Sequence, residues 1–335
     1  MKSSIKKDPV KSSIPRGTIS QEIFNIIEKA DIEKNQKTPK IPKTVKKTDL
    51  KNDPKNPKGF SDDILDENIR CDVSDLPIYD FNKLPENFSM IIASKRRSGK
   101  SVLCNYLLHP IRKRFDEAYL LSTTALYQSD IYSMIPKINR FNTFDEGVLE
   151  NIKESQCKMV EFNQRLEVDK RKYNKVLVVL DDVIQDPKVR KSEILNWYFT
   201  AGRHLHISII CISQTISARN GFPSVILTNS DIGISFMLHN QYCRESFCER
   251  YMSIENKKKG IILFNSIVCE KPYQAVVCDL SISNLKSYKD YVFKIIADPK
   301  IPKYIIGKSK EIKTINKYNT EIYNKDIKRK GFKLC

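Results

Sequence analysis

Residues 88–101 read Phe-Ser-Met-Ile-Ile-Ala-Ser-Lys-Arg-Arg-Ser-Gly-Lys-Ser, an apolar run that stops at a polar, basic loop. The next residues, 102–108, read Val-Leu-Cys-Asn-Tyr-Leu-Leu and carry apolar side chains at helical spacing. A buried strand, a short loop and a helix N-terminus in that order form a binding site for a nucleoside triphosphate. This stretch therefore predicts both the fold class and the position of the site.

The residue types of the loop predict how a triphosphate is held. Gly99 lets the backbone approach a phosphate closely. Lys100 can reach the β- and γ-phosphates, and the Ser101 hydroxyl can coordinate Mg²⁺. The predicted nucleotide-binding residues are Ser94, Lys95, Arg96, Arg97, Ser98, Gly99, Lys100 and Ser101.

One position departs from the pattern G-x-x-x-x-G-K-[ST], because Ser94 stands where the pattern has its first glycine. A serine suffices there if the backbone does not need a positive φ. The alternative interpretation is a basic turn between a strand and a helix, with no ligand.

A second motif lies at residues 175–183, Lys-Val-Leu-Val-Val-Leu-Asp-Asp-Val. Its continuous aliphatic run is typical of a central parallel strand that is buried on both faces. Two carboxylates at the end of such a strand are costly unless a cation or a proton transfer requires them. We expect Asp181 to hold Mg²⁺ through a water molecule and Asp182 to orient and deprotonate the attacking water. The alternative is that the pair only caps a following helix.

Composition limits the class of protein. The chain has 335 residues, 40% of them hydrophobic and 29% charged, which is enough for one sizeable domain with extensions. The sequence predicts neither a transmembrane span nor a signal peptide. Nine cysteines without zinc-ligand spacing are expected to be reduced thiols.

The net charge of +18 is concentrated at the two ends of the chain. Residues 1–60 contain 15 basic and 7 acidic residues, and residues 286–335 contain 14 basic and 5 acidic residues, whereas residues 61–285 are nearly neutral. Basic flanks suit a polyanionic partner such as DNA. The alternative is that they reflect only solubility and a compositional bias toward lysine.

These patterns predict three regions and the architecture of the middle one. Residues 1–65 are predicted to be a disordered basic arm, with one short helix at 21–30, and residues 286–335 a basic C-terminal extension. Residues 66–285 are predicted to be the α/β domain, a mostly parallel sheet with helices on both faces. Its further strands are predicted at 117–123, 207–213 and 230–237, its helices at 145–173 and 192–198, and a closing antiparallel pair at 260–265 and 273–279.

Polar residues around the strand at 207–213 supply three more candidates. Gln214 follows that strand and is placed to sense the γ-phosphate or position water. Arg203 precedes the same strand, at the edge opposite to the site, so it can reach only a neighbouring subunit's nucleotide as an arginine finger. Arg219 is the second candidate for that role. A bond to the loop backbone for Gln214 and a surface salt bridge for either arginine are the alternatives.

Three stretches together resemble a known family. They are Ser94-x4-Gly99-Lys100-Ser101, Leu180-Asp181-Asp182 and Gly202-Arg203-His204-x2-Ile207-Ser208-x5-Gln214. Over residues 80–280 the chain resembles the DNA-packaging ATPases of nucleocytoplasmic large DNA viruses, including poxviruses, giant viruses and virophages, in the FtsK/HerA-like branch of P-loop ATPases.

The resemblance implies a RecA/ASCE-like P-loop NTPase fold, with ATP and Mg²⁺ as ligands. It implies a ring homo-oligomer, a hexamer, that drives double-stranded DNA into a capsid. It also implies a capsid or viral membrane component as partner, and location in the virus factory of the host cytoplasm and in the virion. Lys257-Lys258-Lys259 is a candidate contact to DNA phosphates, with a solvated turn as the alternative. Other P-loop enzymes, namely a helicase or a small-molecule kinase, and a nucleotide-binding scaffold without turnover remain the alternative functions.

Overall fold

The computed structural model describes residues 71–124, 130–216, 221–254, 256–283 and 285–307. Within them an eight-stranded sheet forms the centre of the domain. Its strands are β1 (Ser89–Ala93), β2 (Glu117–Ser122), β3 (Arg140–Phe141), β4 (Val176–Asp181), β5 (Ile207–Ser213), β6 (Ile232–Ser235), β7 (Gln274–Asp279) and β8 (Val292–Ile296). They lie in the order β3-β2-β4-β5-β1-β6-β7-β8.

The helices connect these strands and pack on them. They are α1 (Lys100–Ile111), α2 (Glu146–Gln164), α3 (Pro187–Arg190), α4 (Glu193–Thr200), α5 (Ser224–Thr228), α6 (Gln241–Phe247) and α7 (Lys257–Glu270). Side-chain caps begin several of them. The carboxylate of Asp145 accepts from two backbone N–H groups of α2, and the Asn256 amide oxygen accepts from the N–H of Lys259 in α7.

Two hydrophobic cores cover the two faces of the sheet, because alternate strand residues point to opposite sides. On one face, Met90 and Ile92 of β1 pack with Leu103 and Leu107 of α1. On the other face, Ile91 packs in a core to which α2, α4, α6 and α7 contribute. The predicted sheet with helices on both faces is thereby confirmed.

In the strand order, β5 lies between β1 and β4. The loop after β1 and the end of β4 are therefore separated by one strand only. Parallel pairing aligns Ala93 with Ser213, and Asp181 with Ile212, so these strands end at one edge of the sheet. The six neighbouring strands β3, β2, β4, β5, β1 and β6 are parallel to one another. Strand β7 pairs antiparallel with β6, and β8 pairs antiparallel with β7. This is the predicted RecA/ASCE-like architecture of a P-loop NTPase.

Two predicted elements differ from the structure. The prediction of a strand at 260–265 was wrong, because these residues lie within α7. The apolar run there was read as a strand, but its buried residues Ile261, Phe264 and Ile267 recur at helical spacing. The antiparallel pair is formed by β7 and β8 instead. The helix predicted at 145–173 ends at Gln164.

The chain beyond residue 285 continues to pack on the domain. Strand β8 completes the sheet, and the Tyr304 hydroxyl donates a 2.7 Å hydrogen bond to the carbonyl of Asn105 in α1. The backbone N–H of Ile306 donates to the carbonyl of Met134. The boundary expected at 285 from charge alone therefore falls before the last strand of the sheet.

Several sequence predictions lie outside the described residues. They concern the basic arm at 1–65, the helix at 21–30, Arg219 and the end of the chain from residue 308 onward. In the part that is described, none of the helices has the length and apolar character needed to cross a bilayer. Every cysteine except Cys335 lies in the described part of the chain, and all of these described cysteines are free thiols.

Candidate active site

The loop between β1 and α1 has the conformation that a phosphate site needs. Gly99, the residue before α1, has a φ of 97°, in the left-handed region that favours glycine. Its carbonyl accepts the first helical hydrogen bond, 2.8 Å from the N–H of Leu103. Arg97 also has a positive φ, of 60°. The turn therefore points the N-terminus of α1, with its free N–H groups, toward the space above the loop.

Ser94 fits the loop without glycine. Among the residues that the structure describes, its backbone is not one of those with positive φ. Its N–H donates to the Ser213 carbonyl at 3.1 Å, and its hydroxyl donates to the Met237 carbonyl at 3.2 Å. The backbone of Ser94 thus ties the loop to β5, and its fully buried side chain ties it to the residues after β6. The departure from the consensus pattern is accommodated by a hydrogen bond.

Lys100 is buried, with only 8% of its surface exposed. Its ammonium donates to the carbonyls of Ser94 and Lys95, both at 2.7 Å. Burial lowers the pKa of Lys100, while the nearby carboxylates of Asp182 and Asp181 act in the opposite direction. The cation is therefore held inside the loop, close to two anions.

Asp181, the last residue of β4, is also buried and accepts a 2.7 Å hydrogen bond from the hydroxyl of Tyr132. Burial raises the pKa of Asp181 to about 6, and the carboxylate of Asp182 adds to the rise, whereas the Tyr132 bond and Lys100 counteract it. The Tyr132 hydroxyl also interacts with the side chain of Ser101. Tyr132 thus bridges the two residues predicted to hold the metal.

Asp182 has a left-handed backbone, with φ 56°, which turns its side chain at the end of β4. Gln214, just after β5, donates its amide to Asp182 Oδ2 at 2.8 Å. The other carboxylate oxygen, Oδ1, is buried and has no hydrogen-bond partner among the residues that the structure describes. One oxygen is fixed in place, and the second is left able to accept a hydrogen bond.

The loop and the two aspartates line one cavity of about 510 Å³. Such a volume suits a nucleotide-sized ligand. The polar and charged lining residues are Arg96, Arg97, Ser98, Lys100, Ser101, Thr124, Asp181 and Asp182. Two groups of residues far apart in sequence therefore converge at the carboxyl edge of the sheet.

Other predicted residues lie elsewhere. Arg203 precedes β5, at the amino edge, where its side chain is 58% exposed and lies 3.9 Å from Asp231 Oδ1. The structure therefore does not bring Arg203 to the cavity of its own chain. Lys95 is exposed and contacts the ring of His239. Lys257-Lys258-Lys259 forms the first residues of α7, in place of a loop before the strand wrongly predicted at 260–265, and its contact to DNA phosphates stays a prediction.

Sequence reasoning missed Tyr132, which is 1% exposed and donates to Asp181. The neighbouring apolar residues, Ile131, Met134 and Ile135, gave a signal of burial only. No spacing rule connects a tyrosine at 132 with an aspartate at 181, because the contact depends on how the chain folds between β2 and β4.

The fold and the loop together define the class of this protein: it has the fold of a P-loop NTPase. The chain belongs to the poxvirus A32 protein family, whose family model matches residues 78–301. This membership confirms the class predicted from the sequence, a viral genome-packaging ATPase.

Three solved structures illustrate what the chain is similar to. The genome packaging NTPase B204 from Sulfolobus turreted icosahedral virus 2, in complex with ATP-gammaS, has 13% sequence identity and a TM-score of 0.43, covering 65% of this chain and 100% of that chain. EssC (ATPases 2 and 3) from Geobacillus thermodenitrificans has 16% identity and a TM-score of 0.46, covering 71% and 44%. The pCW3 conjugation coupling protein TcpA, with ATPgS, has 12% identity and a TM-score of 0.45, covering 70% and 66%. Among curated proteins, no sequence matches this chain.

Proposed function

We propose that this ATPase hydrolyses ATP at the cavity between residues 94–101 and the aspartate pair, and uses the free energy to move double-stranded DNA into a capsid. The observation that carries the proposal is the convergence of one buried cation, Lys100, and two carboxylates, Asp181 and Asp182, on that cavity. Burying these charges is costly, so a ligand that completes their interactions supports the arrangement.

The phosphates bind where the positive groups of the loop meet the start of α1. Lys100 contacts the β- and γ-phosphates, exchanging its bonds to the Ser94 and Lys95 carbonyls for bonds to phosphate oxygens. The N–H groups at the start of α1 add the positive end of the helix dipole. Arg96 and Arg97 line the same cavity and neutralise further phosphate charge.

The residues at the edge of the cavity fit a magnesium ion. The Ser101 hydroxyl and the Asp181 carboxylate offer the oxygen ligands that Mg²⁺ prefers, and the Tyr132 hydroxyl interacts with both side chains. When bound, the ion would neutralise charge on the phosphate oxygens. Tyr132 would hold the carboxylate in the orientation for binding, as partners of metal ligands commonly do.

Asp182 is the base that aligns the attacking water. Gln214 fixes the Oδ2 atom of Asp182, and the buried Oδ1 atom accepts a proton from the water. At the same time the oxygen of the water bonds to the γ-phosphorus, and the bond between the γ-phosphorus and ADP breaks. Because Gln214 lies between Asp182 and the end of β5, it also transmits the state of the γ-phosphate to that strand.

Arg203 acts in trans. Its exposed guanidinium at the amino edge contacts the nucleotide of the adjacent subunit in a hexameric ring, where it stabilises the charge that develops on the phosphate. The basic flanks support binding to duplex DNA through phosphate contacts. A capsid or viral membrane component is the docking partner, and the site of action is the virus factory in the host cytoplasm and the virion.

The test is ATP turnover with and without duplex DNA, measured together with the mass of the assembled particle. We expect turnover that duplex DNA stimulates and a particle six times the mass of the chain. An ATP turnover rate that duplex DNA does not change would contradict the motor function. Transfer of phosphate to a small molecule in the absence of DNA would contradict it as well and would favour a kinase. A full-activity monomer would contradict the ring and the trans role of Arg203.

A further inference from the structure

Tyr273 is an exposed aromatic residue beside the phosphate-binding loop. It directly precedes β7, and 67% of its surface is exposed, although every residue of β7 itself is buried. Because β7 runs antiparallel to β6, with Val276 opposite Ser235, the start of β7 lies at the carboxyl edge, level with the loop after β1. Tyr273 does not line the 510 Å³ cavity itself, but its exposed ring lies at the same edge of the sheet and is accessible to a ligand that extends past the loop.

The ring lies against the phosphate-binding loop. A Cβ atom built on Gly99 would lie 3.6 Å from Tyr273 Cδ1 and 3.8 Å from Phe236 Cε1, which is van der Waals contact. Tyr273 also has a positive φ of 59°, a conformation that bulky residues rarely adopt. The fold thus holds this side chain beside the glycine despite an unfavourable backbone, which is a pattern associated with functional positions.

The sheet order determines which end of a nucleotide reaches Tyr273. The residues proposed to act on the γ-phosphate, Asp181, Asp182 and Gln214, follow β4 and β5, on one side of β1. Phe236 follows β6 and Tyr273 precedes β7, on the other side of β1. A triphosphate whose terminal phosphate meets the aspartates therefore has its nucleoside directed toward the β6–β7 side.

We infer that the Tyr273 ring stacks on the base of the bound nucleotide. This contact supplies the part of the nucleotide's affinity that a ligand without a base lacks. The inference rests on the proposed nucleotide site and assigns to it a position for the base. Phe236, which is 4% exposed, lies near the same Cβ position of Gly99, so two aromatic rings flank this glycine. Stacking on a ring face requires no particular hydrogen-bonding edge, so it tolerates different bases.

The experiment compares a ligand that carries a nucleoside with one that consists of phosphates alone. Binding of AMPPCP and of inorganic tripolyphosphate, each with Mg²⁺, is measured by calorimetry on the full chain and on Tyr273→Ala. We expect the variant to bind AMPPCP roughly tenfold more weakly, and to bind tripolyphosphate as the wild type does. Tyr273→Phe should retain AMPPCP affinity, because the ring and not the hydroxyl makes the contact.

The matched control is Phe162→Ala. Phe162 is similarly exposed, at 62%, but lies near the end of α2, on the chain that leads to the amino end of β4. The affinity of neither ligand should change in Phe162→Ala. Equal losses for both ligands in Tyr273→Ala would overturn the inference, because the ring would then act by packing on the loop. Unchanged AMPPCP affinity, or a loss in Tyr273→Phe equal to that in Tyr273→Ala, would also overturn it. If the wild type binds neither ligand, the proposed nucleotide site fails instead.

Discussion

The two edges of the sheet carry charged side chains in different ways. At the carboxyl edge, Lys100 and Asp181 are 8% and 4% exposed, and each is held by a 2.7 Å hydrogen bond. At the amino edge, the Arg203 side chain is 58% exposed and its partner Asp231 lies 3.9 Å away. Buried charges are costly unless they are paired, and they are held in fixed positions, whereas exposed charges cost little and remain accessible to another molecule. The proposed functions of the two edges follow this difference: the carboxyl edge would act in cis and Arg203 in trans.

The largest effect should come from Lys100→Ala at the carboxyl edge. Removing the buried cation takes away the main neutralisation of the phosphates, and kcat should fall by at least about 10³-fold. The measurement is ATP turnover, with circular dichroism to show that the variant is folded. Lys113→Ala, an exposed lysine just after α1, is the matched control and should retain full turnover. Normal turnover in Lys100→Ala would remove the cis assignment of this edge.

Arg203→Ala tests the amino edge. Turnover of the assembled particle should fall by about 10³-fold, the contribution of an arginine finger. Stability should change by less than about 0.5 kcal/mol, because the exposed pair with Asp231 contributes little. Mixing Arg203→Ala with Lys100→Ala should restore turnover, since some interfaces then combine an intact loop with an intact arginine.

Failure of that mixture to regain activity, in particles shown by mass to contain both chains, would place Arg203 outside the neighbour's site. Arg165→Ala, an exposed arginine just after α2, serves as the control and should behave as the wild type.

Asp182→Asn should lower kcat by roughly 10²-fold or more while nucleotide affinity is retained. Asparagine preserves the shape of the side chain and the bond from Gln214, but it cannot take a proton. Single-turnover hydrolysis separates the chemical step from binding. The control is Asp186→Asn, which changes an exposed carboxylate that caps α3 to another good capping residue. A loss of affinity with unchanged kcat would show that Asp182 binds rather than catalyses.

Tyr132→Phe should lower the apparent affinity for Mg²⁺ about tenfold. At saturating Mg²⁺ the kcat of the variant should be close to that of the wild type. The variant removes the hydroxyl that orients Asp181. Turnover is measured over a range of Mg²⁺ concentrations. Tyr198→Phe removes a buried hydroxyl that donates to the Leu149 carbonyl instead, and it should leave the Mg²⁺ dependence unchanged. An identical Mg²⁺ dependence in wild type and Tyr132→Phe would refute the orienting role.

The smallest effect concerns stability at the amino edge. Burial lowers the pKa of His206, which precedes β5 and stacks on Tyr173. Because the folded state disfavours the protonated ring, the stability that His206 supports is present above its ordinary pKa near 6.5 and is lost as pH falls below it.

His206→Asn should therefore flatten the loss of stability between about pH 7 and pH 5. Asparagine tolerates the positive φ of 58° at this position. Urea unfolding at several pH values is the measurement, and replacing the exposed His204 by asparagine is the control. A steeper pH dependence in His206→Asn would reverse the assigned sign.

Sequence reasoning located the strands that are buried on both faces, because continuous aliphatic runs such as those of β4 and β5 are rare in strands with a solvated face. It also placed the loop and the aspartates at one edge, since parallel strands share the direction of their carboxyl ends. It could not find Tyr132 or Tyr273, whose contacts join residues far apart in sequence. It misread residues 260–265 because a short apolar run fits a strand and a buried helix equally.

Strand β8 has a consequence for any shortened version of the chain. It forms one border of the sheet, and β7 next to it is buried along its whole length. Ending the protein at residue 285, where the charge pattern changes, would strip β7 of a neighbour and present a row of unpaired backbone groups on an apolar strand. Such a border invites sheet-to-sheet aggregation, and fragments for crystallography should therefore retain the chain at least through Ile306, whose N–H is held by Met134.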